Sequence, residues 1–256
     1  MAEENVIVTK NGSNAVVTIN RPSKLNAFDK QTIDLMTRAL SALGDDASVR
    51  SIIITGAGGK AFCAGTDINY LNGLNGMAEA DAFIEAVQGI GFLIESLDKV
   101  VIAAIDGYCF GLGNEIAMAC DLRIATRGSM FGQPEIKIGV IPGAGGTQRL
   151  TQLVGVTKSK EMVFTGDSIS ADEALALGLL NYVVEKPALQ GKVDEIVAKI
   201  SQNSFNAVKS AKMVINGSFK PTGYALEKDT FLRCFDHPDR KEGMDAFLGK
   251  RKPAFK

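Results

Sequence analysis

The chain has 256 residues, 46% of them hydrophobic and 22% charged, enough to bury a sizeable core as one large domain or a domain with an appendage. A formal net charge of -1 excludes a general attraction to nucleic acid or an anionic membrane, so any acidic ligand must be met by local groups. No run approaches the roughly 18 apolar residues of a membrane span, and the opening MAEENVIVTK has no basic segment leading into an apolar one, which predicts a cytoplasmic protein.

Residues 5–10 and 15–20 alternate in the manner of strands and are joined through Asn11-Gly12, so a hairpin opens the chain. RPSKLNAFD then reads as a polar turn leading into a helix over 30–43. Residues 51–55 form a β-branched run that ends in GAGGKAFCAGTD, a glycine-rich loop. It lacks the Gly-Lys-Ser/Thr ending of a phosphate loop. NGLNGMA, residues 72–78, reads as a loose surface connection before a helix over 80–97.

The centre of the chain is AAIDGYCFGLGNEIAMACDLRIATRGSMFGQPE. Residues 100–105 are continuously apolar, as in a strand buried on both faces, and they feed a turn punctuated by Gly107, Gly111 and Gly113. From Leu112 the pattern is helical. Glu115 falls in the first turn of a mostly apolar helix, where the dipole favours a carboxylate and free N–H groups form an anion site. An acid there also serves as a capping or dipole partner, but its apolar neighbourhood predicts desolvation and a raised pKa. Glu135 follows Pro134 in an equally apolar setting, with Ile136, Ile138 and Val140 in alternation. Two poorly solvated carboxylates make either a general acid/base pair or two buried ion-pair partners.

IPGAGGTQRL supplies a further glycine turn at a helix start, without the Gly-x-Gly-x-x-Gly spacing of a dinucleotide fingerprint. Residues 158–180 read as short helices with a Ser170–Glu173 capping box, followed by a strand over 180–184. Beyond Pro187 only amphipathic helical patterns remain, over 192–200, 204–214, 223–235 and 238–248, too thin to form their own core. The terminal GKRKPAFK is basic. Lys250, Arg251 and Lys252 are either a solvated tail or a phosphate contact.

Cys63, Cys109, Cys120 and Cys234 contain no Cys-x-x-Cys pair, so neither a zinc site nor a disulfide framework is expected, and the thiols read as small buried hydrophobes. The single His237, in DHPDR, reads as a turn and helix start. With no nucleophile elbow in the chain, a Ser-His-Asp hydrolase is not expected.

The ordered motifs AFCAGTDI, DGYCFGLGNEIAMACD and FGQPEIKIGVIPGAGGTQRL resemble the crotonase superfamily, specifically its enoyl-CoA hydratases, over nearly the whole chain. The resemblance implies an α/β fold: a crotonase-like ββα spiral core over residues 1–190 and a C-terminal helical trimerisation region over 191–256, assembled as a homotrimer or as a hexamer built of two trimers. It implies an oxyanion hole from the backbone N–H groups of Ala64 and Leu112, catalytic Glu115 and Glu135, and a water held partly by the Gly143 amide. Lys24, Leu25 and Ala27 would lie along the CoA adenosine, and Ala64, Gly65, Thr66 and Asp67 around the thioester and pantetheine. The family pattern has glycine where this chain has Leu112, whose side chain would narrow the acyl pocket. The implied activity is reversible syn addition of water to a trans-2-enoyl-CoA, as in fatty-acid β-oxidation, with no metal or cofactor and no nucleic-acid or membrane partner. A double-bond isomerase on the same scaffold would need only Glu135, and a non-catalytic acyl-CoA- or RNA-binding scaffold would need neither glutamate.

Overall fold

Strands β1 (Val6–Asn11) and β2 (Asn14–Ile19) form the opening antiparallel hairpin, in register from Val6↔Ile19 to Asn11↔Asn14. The structure, a computed structural model, describes residues 4–217 together with 238, 242, 249, 251, 252, 254 and 255. The expected helices over 223–235 and 238–248 therefore lie wholly or mostly outside the described residues, as do Cys234, His237 and Lys250. Helix α1 (Lys30–Asp45) follows, capped by the Asp29 carboxylate, which accepts from the Thr32 N–H at 2.9 Å. It buries Ile33, Met36, Leu40 and Leu43, a stripe at helical spacing.

Three successive turns of chain then repeat one pattern. The first comprises β3 (Ser51–Gly56), β4 (Ala61–Cys63), α2 (Ile68–Asn72) and α3 (Gly76–Ser96). The second comprises β5 (Val100–Ile105), β6 (Tyr108–Phe110) and α4 (Leu112–Ala119), and the third β7 (Leu122–Thr126), β8 (Met130–Gly132) and α5 (Gly146–Thr165). The chain closes this series with β9 (Ser168–Ser170), α6 (Ala171–Ala176), β10 (Tyr182–Val184), α7 (Leu189–Ser201) and α8 (Phe205–Asn216). The first strand of each turn joins a six-stranded sheet of order β1-β2-β3-β5-β7-β10, parallel from β2 onward. The second joins a four-stranded sheet of order β4-β6-β8-β9. This is the expected ββα spiral.

Strand β5 is buried along its whole length because both faces of the large sheet are covered. Val101, Ala103 and Ile105 point into the main core with α1, α3 and α4, while Val100, Ile102 and Ala104 pack against Val193, Ile196 and Val197 of α7. Helix α8 is pinned by Lys212, a buried ammonium that donates to the Ile94 and Lys99 carbonyls at 2.8 and 2.9 Å and pairs with Asp121 at 2.9 Å. The first stretch of the C-terminal helices is thus packed on the core it follows.

Local differences from the sequence reading have local causes. The loose connection shrinks to residues 73–75, because Asp67 caps α2 through the Asn69 N–H and the Glu79 carboxylate accepts from the Asn75 N–H at 2.8 Å, starting α3 at Gly76. The alternation at Ile136, Ile138 and Val140 is not a strand. Pro134 opens a single 3-10 stretch, Pro134–Ile138, that leaves these side chains 40–50% exposed.

Candidate active site

The C-terminal end of β4, the start of α4 and the loop before α5 meet around one cavity of about 390 Å³. Helix α4 can close on β4 only because residue 113 is glycine, since a Cβ there would overlap the Cys63 carbonyl. That contact brings the first turn of α4 beside Ala64, Gly65 and Thr66. Opposite, α3 presents Ala80, Phe83, Ile84 and Val87, an apolar stripe at helical spacing that walls the cavity. Glu115, Glu135, Leu112 and Gly143 complete the lining.

Glu115 is 3% exposed. Its Oε1 accepts from the Ala144 and Gly146 N–H groups, each at 2.8 Å. Burial raises its pKa, opposed by those two amides and by the nearby Arg149 guanidinium. For Glu135 the opposing hydrogen bond comes from its own backbone N–H. Its Oε2 is buried without a hydrogen-bond partner among the described residues, and its pKa is raised to about 7, by burial first and by the Glu115 charge second. Glu135 Oε1 lies so close to Gly111 that a Cβ at residue 111 would stand 3.0 Å from it. Gly111 also has φ +51 and ψ -126, a backbone conformation that favours glycine.

The amides require one correction. The Ala64 N–H is already donated to the Leu25 carbonyl at 3.0 Å and is not free to hold a substrate oxygen. Gly65 and Asp67 both bond Phe28, through Phe28 N–H to Gly65 O at 2.9 Å and Asp67 N–H to Phe28 O at 2.8 Å. In extended chain the residue between them turns its N–H the other way. That residue is Thr66, which lines the cavity and whose N–H has no acceptor among the described residues. Leu112, the first residue of α4, also keeps an N–H without an acceptor among the described residues, as helix starts do. A Cβ on Gly65 would lie 3.8 Å from that nitrogen.

Of the residues singled out from the sequence, the structure gathers Ala64, Gly65, Thr66, Leu112, Glu115, Glu135 and Gly143 around the cavity and leaves Lys24, Leu25, Ala27 and Asp67 off its wall. Leu25, at φ +51, lines a second cleft of about 530 Å³ with Lys60, Tyr108 and Lys186. The Asp67 carboxylate caps α2 and pairs with Arg21 at 3.4 Å. Arg251 grips Glu242 with both arms of its guanidinium, at 2.6 and 2.8 Å. The sequence reading did not identify the Ala144 and Gly146 amides, the α3 wall or Arg149, although Gly145, Gly146 and Arg149 all stand in the IPGAGGTQRL motif. Burial pushes the Cys63 and Cys120 thiols up to about 12, so both stay neutral. No group of three or more potential metal ligands occurs among the described residues, and no described helix is long and apolar enough to cross a membrane.

Comparison with known proteins agrees with this geometry. The family model described as enoyl-CoA hydratase/isomerase matches residues 9–256. The short-chain-enoyl-CoA hydratase of Clostridium acetobutylicum is 44% identical, over 98% of this chain and 97% of that protein. The crotonyl-CoA hydratase of Syntrophomonas wolfei is 43% identical over 100% and 99%. The crystal structure of an enoyl-CoA hydratase from Bacillus anthracis superposes with a TM-score of 0.94 at 36% identity, covering 98% of this chain and 99% of the other. Spiral fold, paired glutamates and full-length similarity coincide, and the chain belongs to the enoyl-CoA hydratase/isomerase family.

Proposed function

We propose that this protein is an enoyl-CoA hydratase that adds water reversibly to a trans-2-enoyl-CoA, giving a 3-hydroxyacyl-CoA. The observation that carries the reading is the asymmetry of the two glutamates on one cavity. Glu115 has two amide donors that favour its ionised form, and Glu135 has a buried oxygen without a partner and a pKa near 7.

In this mechanism the thioester oxygen accepts from the Thr66 and Leu112 N–H groups, which stabilise enolate-like charge as it develops. Losing one such donor typically costs about 100- to 1,000-fold in rate. Glu115 takes a proton from a water that the Gly143 N–H helps to orient, and the water oxygen bonds to Cβ. The displaced π electrons pass toward the thioester, and Cα then takes the proton held by Glu135. Both glutamates act from the same side, so the addition is syn. One proton has moved from Glu135 to Glu115 by the end of the cycle, and exchange with solvent resets the pair. Dehydration runs the same steps backward. The steps are proton transfers, one C–O bond formation and charge stabilisation, all within reach of these residues without a metal or redox cofactor. An isomerase would leave the support of Glu115 without a purpose.

The names of two relatives above 40% identity make crotonyl-CoA the first substrate to test. We assign Lys24, Leu25 and Ala27 to the CoA adenosine, Asp67 to the pantetheine end, and residues 191–256 to assembly as a trimer or a pair of trimers, which sedimentation analysis would measure. The deciding experiment follows loss of the conjugated enoyl absorbance of crotonyl-CoA in D2O, with deuterium expected at Cα. Absence of turnover on every enoyl-CoA offered would defeat the reading.

A further inference from the structure

Arg149 lies outside the cavity yet holds the loop that holds Glu115. Its Nη1 donates to the Ala144 carbonyl at 2.8 Å, and its own backbone N–H donates to the Gly145 carbonyl at 2.8 Å. These two carbonyls lie, along the chain, between the Ala144 and Gly146 N–H groups that grip Glu115. A single residue on α5 therefore fixes one edge of the loop while Glu115 occupies the other. Its Nε bonds Glu95 of α3 at 2.6 Å, and its guanidinium lies 5.9 Å from the Phe92 ring centre. The loop accommodates the group closely. A Cβ on Gly145, at φ +101, would overlap Nη1, and one on Gly91 would stand 2.8 Å from Nη2. The side chain is buried, and it carries the positive charge closest in effect to Glu115.

We infer that Arg149 is a positioning residue for hydration: anchored by Glu95, its guanidinium sets the Ala144–Gly146 peptides that aim the Glu115 carboxylate and brings a positive charge to that side of it. The inference rests on the hydratase reading and deepens it. The other charged groups around Glu115 are Glu135, whose own ionisation the Glu115 charge opposes, and Lys137, whose ammonium is turned to Asp167 at 3.1 Å. Cys120, at the end of α4, stays neutral. Arg149 is thus the cation available to do this among the described residues, and a guanidinium is needed because a lysine ammonium cannot reach two directions with fixed geometry.

The experiment compares Arg149→Met and Arg149→Lys with the wild-type enzyme on crotonyl-CoA, measuring kcat, KM, the pH profile of kcat and thermal unfolding. Wild-type hydration is the control. If it is absent, the hydratase reading fails and this inference with it. If it is present, Arg149→Met should lower kcat at least about 10-fold with KM within about 3-fold, and the acidic limb should move to higher pH because the base has lost its cation. Added guanidinium should restore part of kcat. Arg149→Lys keeps the charge without the fork and should lower kcat while leaving the limb in place. A folded Arg149→Met enzyme with wild-type kcat, or with lowered kcat, an unmoved limb and no rescue, overturns the inference. Should Arg149→Met not fold, Arg149→Lys decides: wild-type kcat overturns it, and a lowered kcat restored by guanidinium upholds it.

Discussion

Glu115 and Glu135 face one cavity but are held in opposite ways. Two amides 2.8 Å from Oε1 hold the first, and the second has a buried oxygen with no partner. The charge on Glu115 also helps raise Glu135 to about 7. Burial raises both carboxyl groups, but only Glu115 has two loop amides that favour its charged form, an asymmetry suited to a reaction needing one base and one acid.

Replacing either carboxylate by its amide removes one proton-transfer group with little change in shape. Glu115→Gln and Glu135→Gln should each lower kcat on crotonyl-CoA at least about 100-fold. Near-wild-type turnover in either purified variant would remove that residue from the mechanism.

Hydration needs Glu115 ionised and Glu135 protonated, so kcat should follow a bell. Its alkaline limb, where Glu135 loses its proton, should lie near pH 7. In the dehydration direction the roles exchange. A hydration profile flat from pH 6 to 9 would contradict the assignment.

The raised pKa of Glu135 is also a statement about stability. The unfolded chain releases this proton near pH 4.5 and the folded one near 7, so the folded state binds more protons between these values and stability falls as pH rises through that window. The difference of about 2.5 units corresponds to about 3 kcal/mol, fully expressed above pH 7. Glu135→Gln should therefore stabilise the fold at pH 8 and change it little at pH 4. Urea unfolding at both pH values measures this, and equal effects at the two would contradict it.

Leu112 lines the cavity where the family pattern has glycine, and its side chain is 4% exposed. Leu112→Ala keeps the N–H donor and opens space. The ratio of kcat/KM for a six-carbon over a four-carbon enoyl-CoA should rise about 10-fold or more, the usual worth of one or two methylenes in an apolar pocket. An unchanged ratio would mean that the acyl chain runs elsewhere.

Lys212 compensates a carboxylate that burial would otherwise disfavour, since desolvation raises the pKa of Asp121 and Lys212 opposes it. Lys212→Met should cost about 3 kcal/mol by leaving that charge and two carbonyls without their donor. Adding Asp121→Asn should recover part of the loss, and strictly additive effects in urea unfolding would argue against the coupling.

Much of this protein was legible in the chain. The apolar run at 100–105, the helix at Leu112 and the capping box at Ser170 depend on neighbours a few residues apart, and local pattern fixes them. The two glutamates could be identified because an acid among apolar residues stands out. Local pattern misleads where a long-range partner decides. Ile136, Ile138 and Val140 alternate like a strand but have no strand to pair with. Ala64 looks like an oxyanion donor until the turn at Leu25, 39 positions earlier in the sequence, takes its N–H and leaves Thr66 free. Only the tertiary structure shows how each carboxylate is held, Glu115 by two amides and Glu135 with a buried oxygen that has no partner among the described residues. Proton affinity depends on the solvent excluded and the dipoles facing each carboxylate, and here those come from segments about thirty residues away in sequence, brought together by the spiral.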